Sequence, residues 1–238
     1  GQIWIGTGAG ISFYDHQSYN FKHYKHIRGN SNSLSHEYIW AIFESRDGIL
    51  WLGTDNGLNQ FDRKNNKYKH IFHNPKNPNS LSYNEVMAVH EDREGILWIG
   101  TWHGGLNRYD RKNNSFKHFL NKPGDPNSLS DNRVRLIYED PDNNGKILWL
   151  GTKSGGLNKF NIKTKSFTHY RHEPENQHSI SDNSILSILR DSNNELWVGT
   201  WGGGLNYFDQ KTGKFTRYVL DQNKSKCQST VNISSILV

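Results

Sequence analysis

The chain has 238 residues, enough for one large all-β domain or two small ones, and 33% of them are hydrophobic and 13% aromatic. The net charge of +6 favours anionic surfaces, but the dense basic stripe of a nucleic-acid-binding domain is missing, so no nucleic-acid partner is predicted. A single cysteine, Cys227, excludes an internal disulfide and a Cys-based zinc site, and without a run of about 18 apolar residues no membrane segment is predicted.

One motif recurs five times along the chain. The copies are IWIGTGAGISFYD (3–15), LWLGTDNGLNQFD (50–62), LWIGTWHGGLNRYD (97–110), LWLGTKSGGLNKFN (148–161) and LWVGTWGGGLNYFD (196–209). Their anchoring tryptophans, spaced 47 to 51 residues apart, are Trp4, Trp51, Trp98, Trp149 and Trp197. A repeat of about 40–50 residues is typical of a propeller blade.

Each unit predicts four short strands, which we name a to d. Strand a is an apolar run, as at 86–91, 134–139 and 185–190, and strand b carries the tryptophan. Strand c begins with Leu-Asn after a Gly-containing b–c loop, and strand d is an aromatic run such as FKHF or FTHY. Gly, Asn and Asp mark the junctions, and the repeat has no helical spacing. The sequence therefore predicts an all-β β-propeller of five four-stranded blades, with residues 1–238 as a single propeller domain or a fragment of one.

The number of blades in the ring stays open at this point. The chain starts in strand b of its first unit, without Met or a signal peptide, and ends in ISSILV (233–238), which resembles a strand a. The last strand could complete the first blade and close a five-blade ring. Alternatively, the chain is part of a larger ring, for example a seven-bladed one. The phase of the repeats favours a piece of a longer protein.

The stretches LWIGTWHGGLNRYD and NSLSDN make the repeat similar to the two-component regulator propeller repeat. The resemblance covers nearly all of residues 1–238 and is weakest in the first copy and after Asp221. It implies the extracytoplasmic sensor region of a bacterial hybrid two-component histidine kinase, especially of the Bacteroidetes type that controls polysaccharide use. Such proteins typically continue into a further β domain, a membrane helix and kinase modules, none of which is in these five copies. Streptogramin-lyase-like propellers share part of the motif.

The b–c loops combine a constant frame with variable tips. Gly-Thr before each tip and Gly-Leu-Asn after it barely vary, whereas the residues between them differ from copy to copy, as a rigid scaffold that presents a binding surface requires. The ligand-binding candidates on these tips are Trp102, His103, Trp201, Asp55, Asn56 and Lys153. In the alternative interpretation, Trp102 and Trp201 pack on neighbouring loops or on another part of the protein.

Strand a has a variable position of its own, occupied by Trp40, Met87, Arg135 or Leu186. In a propeller the b–c loops and the d–a connections lie at the same end of the strands, and we call that end of each blade the b–c face. Arg133 and Arg135 are expected there, where they could bind a carboxylate, a sulfate or a uronic acid. They could equally lie over a polar channel. Trp40, Arg133 and Arg135 therefore join the ligand-binding candidates.

No catalytic residue, metal site or cofactor is predicted. Zinc needs three or four clustered donors, and the tips offer little beyond His103 and Asp55. The strand-d histidines lie on the outer strand and do not converge; they are His23, His70, His118 and His169. The NSLS segments, at Asn32, Asn79 and Asn127, are expected to fix the path of the chain into strand a.

The resemblance implies a periplasmic, non-catalytic sensor domain that binds an oligosaccharide or another small molecule and forms a homodimer through the full-length protein. One alternative is a protein-interaction or dimerisation scaffold, in which Trp102 and Trp201 are buried against a partner chain. The other is a propeller lyase, which would need a converging His or Glu set and a divalent metal, for which only His103 and His90 are placed.

Overall fold

The regular structure consists of short antiparallel strands. The computed structural model describes residues 3–143, 145–218 and 231–235, and the one helical element in those ranges is a 3-10 turn at Pro141–Asn143. The chain divides into two compact units, Gly1–Phe119 and Leu120–Val238. Cys227 and residues 236–238, the end of the expected last strand, lie outside the described residues.

The first unit contains blades 1 to 3, whose strands pair in the order of the chain. Blade 1 comprises β1 (Ile3–Thr7), β2 (Gly10–Asp15) and β3 (Asn20–Tyr24). Blade 2 comprises β4 (Ile39–Glu44), β5 (Leu50–Thr54), β6 (Gly57–Asp62) and β7 (Lys67–Ile71). Blade 3 comprises β8 (Val86–Glu91), β9 (Leu97–Thr101), β10 (Leu106–Asp110) and β11 (Ser115–Phe119).

The second unit contains blades 4 and 5. Blade 4 comprises β12 (Val134–Glu139), β13 (Ile147–Thr152), β14 (Leu157–Asn161) and β15 (Phe167–Tyr170). Blade 5 comprises β16 (Ile185–Arg190), β17 (Leu196–Gly202), β18 (Leu205–Asp209) and β19 (Lys214–Tyr218). A short strand, β20 (Val231–Asn232), pairs with the end of β17.

The predicted all-β propeller fold is confirmed. Strands a of blades 3, 4 and 5 have the bounds that the sequence indicated, and strands b of blades 2, 3 and 4 are buried along their whole length because other strands and blades cover them. Blade 1 has strands b, c and d, and among the described residues β1 pairs only with β2. The closure of the ring and the extent of the domain stay predictions.

The repeated tryptophan fixes strand b to the end of strand a in blades 2 to 5. Its indole N–H donates, over 2.7–3.0 Å, to the residue that follows strand a, which is Ser45, Asp92, Asp140 or Asp191. In blade 1, where no strand a is described, the buried Nε1 of Trp4 has no acceptor among the described residues. The acceptor after strand a is therefore part of the repeat.

Each blade also has one aromatic pair between strands c and d. The ring centroids are 4.3–5.0 Å apart in the pairs Tyr14–Phe21, Phe61–Tyr68, Tyr109–Phe116, Phe160–Phe167 and Phe208–Phe215. Such pairs add to the stability that the burial of their area provides. They explain how a chain with few aliphatic residues fills the space between its sheets.

The polar residues of the repeat position the d–a connection. In blades 2 to 5 the buried Asn of strand c accepts the amide of the second Ser of the NSLS-type segment at 2.8–3.0 Å. The strand-d histidines His70, His118 and His169 each place Nε2 2.7 Å from the carbonyl oxygen of the first Ser. The expected role of NSLS in fixing the path into strand a is therefore confirmed, and these three histidines are structural.

Close contact between blades requires glycine in strand b. A Cβ on Gly53 would lie 2.6 Å from the carbonyl oxygen of Val86, the first residue of the next strand a. In blade 5 a Cβ on Gly199 would lie 2.5 Å from the carbonyl oxygen of Ile233. Ile233 thus contacts blade 5 where Val86, the start of a strand a, contacts blade 2, but residues 233–235 themselves form no strand.

Candidate functional site

Hydrogen bonds from constant residues and from the backbone fix the b–c loops, which are one residue shorter in blade 2 than in blades 3 to 5. The Thr hydroxyl at the end of strand b donates to the carbonyl of the loop glycine at 2.7–3.2 Å. The amides of Trp102, Lys153 and Trp201 donate at 2.9–3.0 Å to the carbonyl just before strand a. Because these bonds involve only the constant residues and the backbone, the side chains at the tips are free to vary.

A β-bulge lies beside each tip. The register between strands a and b shifts between Ile39 and Ala41 in blade 2, and at the same place in blades 3, 4 and 5. The residue inside the shift is the variable one of strand a: Trp40, Met87, Arg135 or Leu186. A β-bulge changes the direction in which the side chain of the extra residue points. In every complete blade this residue lies next to the loop tip.

Blade 2 brings together two of the candidates and two residues that the sequence analysis missed. Trp40 is 51% exposed, and its indole N–H donates to Asp55 Oδ1 over 2.5 Å. His36 Nδ1 is 4.0 Å from Asp55 Oδ2, and the His36 ring stacks on the ring of Tyr38, which is 47% exposed. Asn56, at the same tip, is exposed. The result is a carboxylate with the Trp40 and His36 rings beside it and the Tyr38 ring stacked on His36.

In blade 3 the tip differs from the expected exposed tryptophan. Trp102 is only partly exposed, and its ring meets the ring of His103 at a centroid distance of 6.3 Å. The exposed His103 also packs edge-on against Tyr83, 5.1 Å away. Blade 3 therefore presents a histidine between two aromatic rings.

Blade 4 pairs Arg133 with a carboxylate. The Nε and Nη2 atoms of Arg133 donate to Asp131 Oδ1 and Oδ2, both at 3.0 Å, and Asp131 Oδ2 accepts the amide of Ser154 at 2.9 Å. These residues line a shallow cleft of about 290 Å³. Because Asp131 neutralises the guanidinium, Arg133 is poorly suited to the anion-binding role that the sequence suggested.

Blades 4 and 5 bring two other candidates together in the second unit. Lys153 Nζ lies 5.3 Å from the ring centroid of Trp201, which is 50% exposed. Arg135 is partly buried, its Nη1 is 3.4 Å from Ser184 Oγ, and burial lowers the pKa of its guanidinium. This group is cationic and aromatic, whereas the one in blade 2 is acidic and aromatic.

The missed residues could have been found from the repeat. His36 and Tyr38 occupy the first and third positions after the second Ser of the NSLS segment, where blade 4 has Asp131 and Arg133. These positions vary between copies as the loop tips do, and only the fold shows that the two variable sets are adjacent.

Neither a metal centre nor a lyase-like cluster is assembled in the described part of the chain. Its residues contain no group of three or more His, Cys, Asp or Glu side chains placed to hold a metal ion. His90 meets Phe43 at a ring distance of 5.7 Å. It lies four residues along β8 from Val86, about 13 Å from the end of the strand where His103 is found.

The repeats match a known family. The model of the two-component regulator propeller family matches residues 33–56, 80–103 and 179–202, each of which runs from the NSLS-type segment to the b–c tip. A comparison with curated proteins finds no match. In the described residues no helix is long and apolar enough to cross a membrane.

Similar solved structures include three from different bacteria. One is described as the extracellular domain of a hybrid two-component system of B. thetaiotaomicron, with 25% identity, a TM-score of 0.76, and coverage of 91% of this chain and 28% of that chain. A second is PorZ, a surface component of the type-IX secretion system of Porphyromonas gingivalis, with 18% identity, a TM-score of 0.68, and coverage of 98% and 34%. A third is virginiamycin B lyase of Staphylococcus aureus, with 16% identity, a TM-score of 0.64, and coverage of 92% and 66%.

The chain thus spans about a third of the length of the first two proteins and two thirds of the lyase. It shares the propeller fold with an extracellular domain of a hybrid two-component system. The likeness to PorZ and to the lyase shows the fold alone.

Proposed function

We propose that this chain, which is built of two-component regulator propeller repeats, is a periplasmic ligand-sensing region of a membrane-anchored hybrid two-component protein. Its ligand is an oligosaccharide, bound on the b–c face without chemical conversion. The match to the family and the fold shared with an extracellular sensor domain support this role. Kinase activity would belong to other parts of the protein.

One observation carries the proposal: each complete blade holds a variable bulge residue next to a variable loop tip, on strands whose register recurs from blade to blade. Two of the tryptophans at these positions, Trp40 and Trp201, are half exposed. A tryptophan face presented to solvent suits stacking on a sugar ring, and exposed aromatic groups of this kind mark binding surfaces.

Ligand binding would act as a signal only if the ligand binds one arrangement of the sensor chains more tightly than another. A saccharide on the b–c face would favour the arrangement of the sensor chains that binds it better, and the rest of the protein would transmit that shift. In this mechanism the full-length protein forms a homodimer, as the resemblance implies.

The test is a thermal-shift screen of the chain against neutral, amino and acidic oligosaccharides, followed by calorimetry. A ligand at a hundred times its Kd stabilises the folded state by about 2.7 kcal/mol. We expect a saccharide-specific rise in melting temperature that Trp40→Ala or Trp201→Ala abolishes.

Tyr19→Asn is the matched control. Tyr19 is exposed and lies in the c–d turn of blade 1 with a φ of 57°, where blades 2 and 3 have Asn66 and Asn114 with a φ of 50°. This variant removes an exposed aromatic ring from the opposite face and should keep the shift. A shift that survives both tryptophan variants would contradict the proposed location.

A dimerisation scaffold, in which Trp201 is buried against a partner chain, is the second candidate, and the half-exposed side chain of Trp201 favours it. Sedimentation velocity separates the two functions. A concentration-dependent dimer that Trp201→Ala dissociates, together with no saccharide response, would favour the scaffold.

A further inference from the structure

We propose that the group formed by His36, Tyr38, Trp40 and Asp55 in blade 2 binds the ammonium group of an organic cation, and that the ligand bearing it is an amino sugar. This assignment rests on the sensory role proposed above and narrows its ligand class. All four residues belong to the first unit. His36 and Tyr38 lie just before strand a, and Trp40 is its second residue. Asp55 follows strand b at the adjacent loop tip.

The carboxylate of Asp55 lies beside the side chains of Trp40 and His36. His36 Nδ1 accepts the amide N–H of Tyr38 at 3.2 Å. The same atom is 4.0 Å from Asp55 Oδ2, which is beyond hydrogen-bond distance. Asp55 Oδ1 accepts the indole N–H of Trp40, and the Asp55 side chain is 36% exposed, so its second oxygen is accessible to a ligand cation.

The two aromatic rings are held in place before a ligand arrives. The short bond to Asp55 orients the Trp40 indole. The Tyr38 ring stacks on His36, with centroids 5.8 Å apart and planes at 25°, and lies against Gly8, where a Cβ would be 3.1 Å from Tyr38 Cε1. Both rings are about half exposed, so their faces are open to solvent.

Aromatic faces beside a carboxylate attract positive charge. The negative face of an indole or phenol ring binds an ammonium group, and a carboxylate nearby adds a direct electrostatic attraction. The same carboxylate repels a uronic acid or a sulfated sugar. Anionic sugars therefore fit the group around Lys153 and Arg135 in the second unit better than they fit blade 2.

The test compares two ligands that have the same sugar rings and differ at the amino groups. The chain is titrated calorimetrically with a glucosamine trimer and with its N-acetylated form, which has the same sugar rings without the ammonium groups. We expect the glucosamine trimer to bind at least about tenfold more tightly, a difference of about 1.4 kcal/mol. Asp55→Asn, which keeps an acceptor for the Trp40 indole, should reduce the preference to less than about threefold, and Trp40→Ala should weaken binding of both trimers.

Asp62→Asn is the control for the loss of one negative charge. Asp62 caps the c–d turn at the opposite end of blade 2, where Asn161 makes the same bonds in blade 4, so this variant should fold and keep the full preference. Choline, a cation without a sugar, should compete with the glucosamine trimer. Tighter binding of choline than of the trimer would overturn the amino-sugar assignment in favour of a quaternary amine.

Other outcomes overturn the ammonium site itself. Equal affinity for the two trimers, or a preference that persists in Asp55→Asn, would do so while leaving the sensory role intact. A response to acidic oligosaccharides alone would do the same. Failure of every saccharide to bind would remove both the site and the proposed function.

Discussion

Single buried side chains link neighbouring blades of the second unit. Asp140 has no exposed surface; it accepts the indole N–H of Trp149 at 3.0 Å and forms an ion pair with Arg190 of blade 5 at 3.1 Å. Burial by itself would raise the pKa of the Asp140 carboxyl, but hydrogen bonds from Trp149, from the Asp142 amide and from Arg190 outweigh burial and lower it. The charged form is therefore the one that the folded state stabilises.

Asp140 should make the stability of the chain sensitive to acid. Because its pKa in the folded state lies below its ordinary value of 3.8, the contribution to stability is complete above that value and is lost as the pH falls through the lowered pKa. Asp140→Asn removes one partner of a buried ion pair, which costs about 3–5 kcal/mol near neutral pH. We expect the variant to lose less stability than the wild type between about pH 5 and about pH 2, as measured by chemical unfolding at a series of pH values.

Asp191→Asn provides the comparison. Asp191 accepts the indole N–H of Trp197 at 2.9 Å at the equivalent position of blade 5, and no ion pair with it is found among the described residues. Its substitution should destabilise the protein less than Asp140→Asn does. Equal losses would show that the Trp bond, not the pair with Arg190, accounts for the effect.

At the scale of elements, strand d and the NSLS-type segment form one repeated unit. Three blades use a histidine on strand d to reach the first Ser carbonyl, whereas blade 5 uses Arg217, whose Nε lies 2.9 Å from the carbonyl oxygen of Ser179. Either side chain supplies an N–H to the same acceptor. The contact is therefore defined by its geometry and not by the imidazole.

The interchange can be tested at His169. His169→Arg should keep the bond to the Ser128 carbonyl and change the free energy of unfolding by less than about 0.5 kcal/mol. His169→Ala loses the bond and should cost about 1–2 kcal/mol. Urea denaturation measures both, and an arginine variant as unstable as the alanine variant would contradict the equivalence.

At the scale of the whole molecule, a constant frame presents different chemistry in different blades. The frame consists of the Trp acceptors, the c–d aromatic pairs and the Asn–Ser bonds, and it recurs in both units. The b–c face is acidic and aromatic in blade 2 and more basic in blades 4 and 5. The chemical differences between the blades therefore lie in side chains that the shared frame holds at equivalent positions.

The integrity of this frame should not depend on a divalent metal. Since the described residues contain no cluster of three or more metal-ligating side chains, EDTA should leave the melting temperature of the chain unchanged. Dialysis against EDTA, followed by scanning calorimetry with and without added Zn²⁺ or Mg²⁺, measures this. A fall in melting temperature that added metal reverses would contradict the prediction and reopen the lyase alternative.

The sequence by itself determined the blade repeat, its strands and its variable positions. It could do so because Trp-x-Gly-Thr recurs in all five copies and Leu-Asn follows it in four of them, and such repetition separates the frame from what varies. It therefore also pointed to Trp40, Asp55 and Trp201 as candidates.

Only the tertiary structure decided which of these residues meet. The bulge in strand a is a matter of register and leaves no mark in the composition, so the pairing of Trp40 with Asp55 could not be predicted. The partial burial of Trp102 and the neutralisation of Arg133 by Asp131 likewise depend on distances between side chains. Sequence spacing defines what each strand carries, whereas hydrogen-bond register and packing define what its side chains can bind.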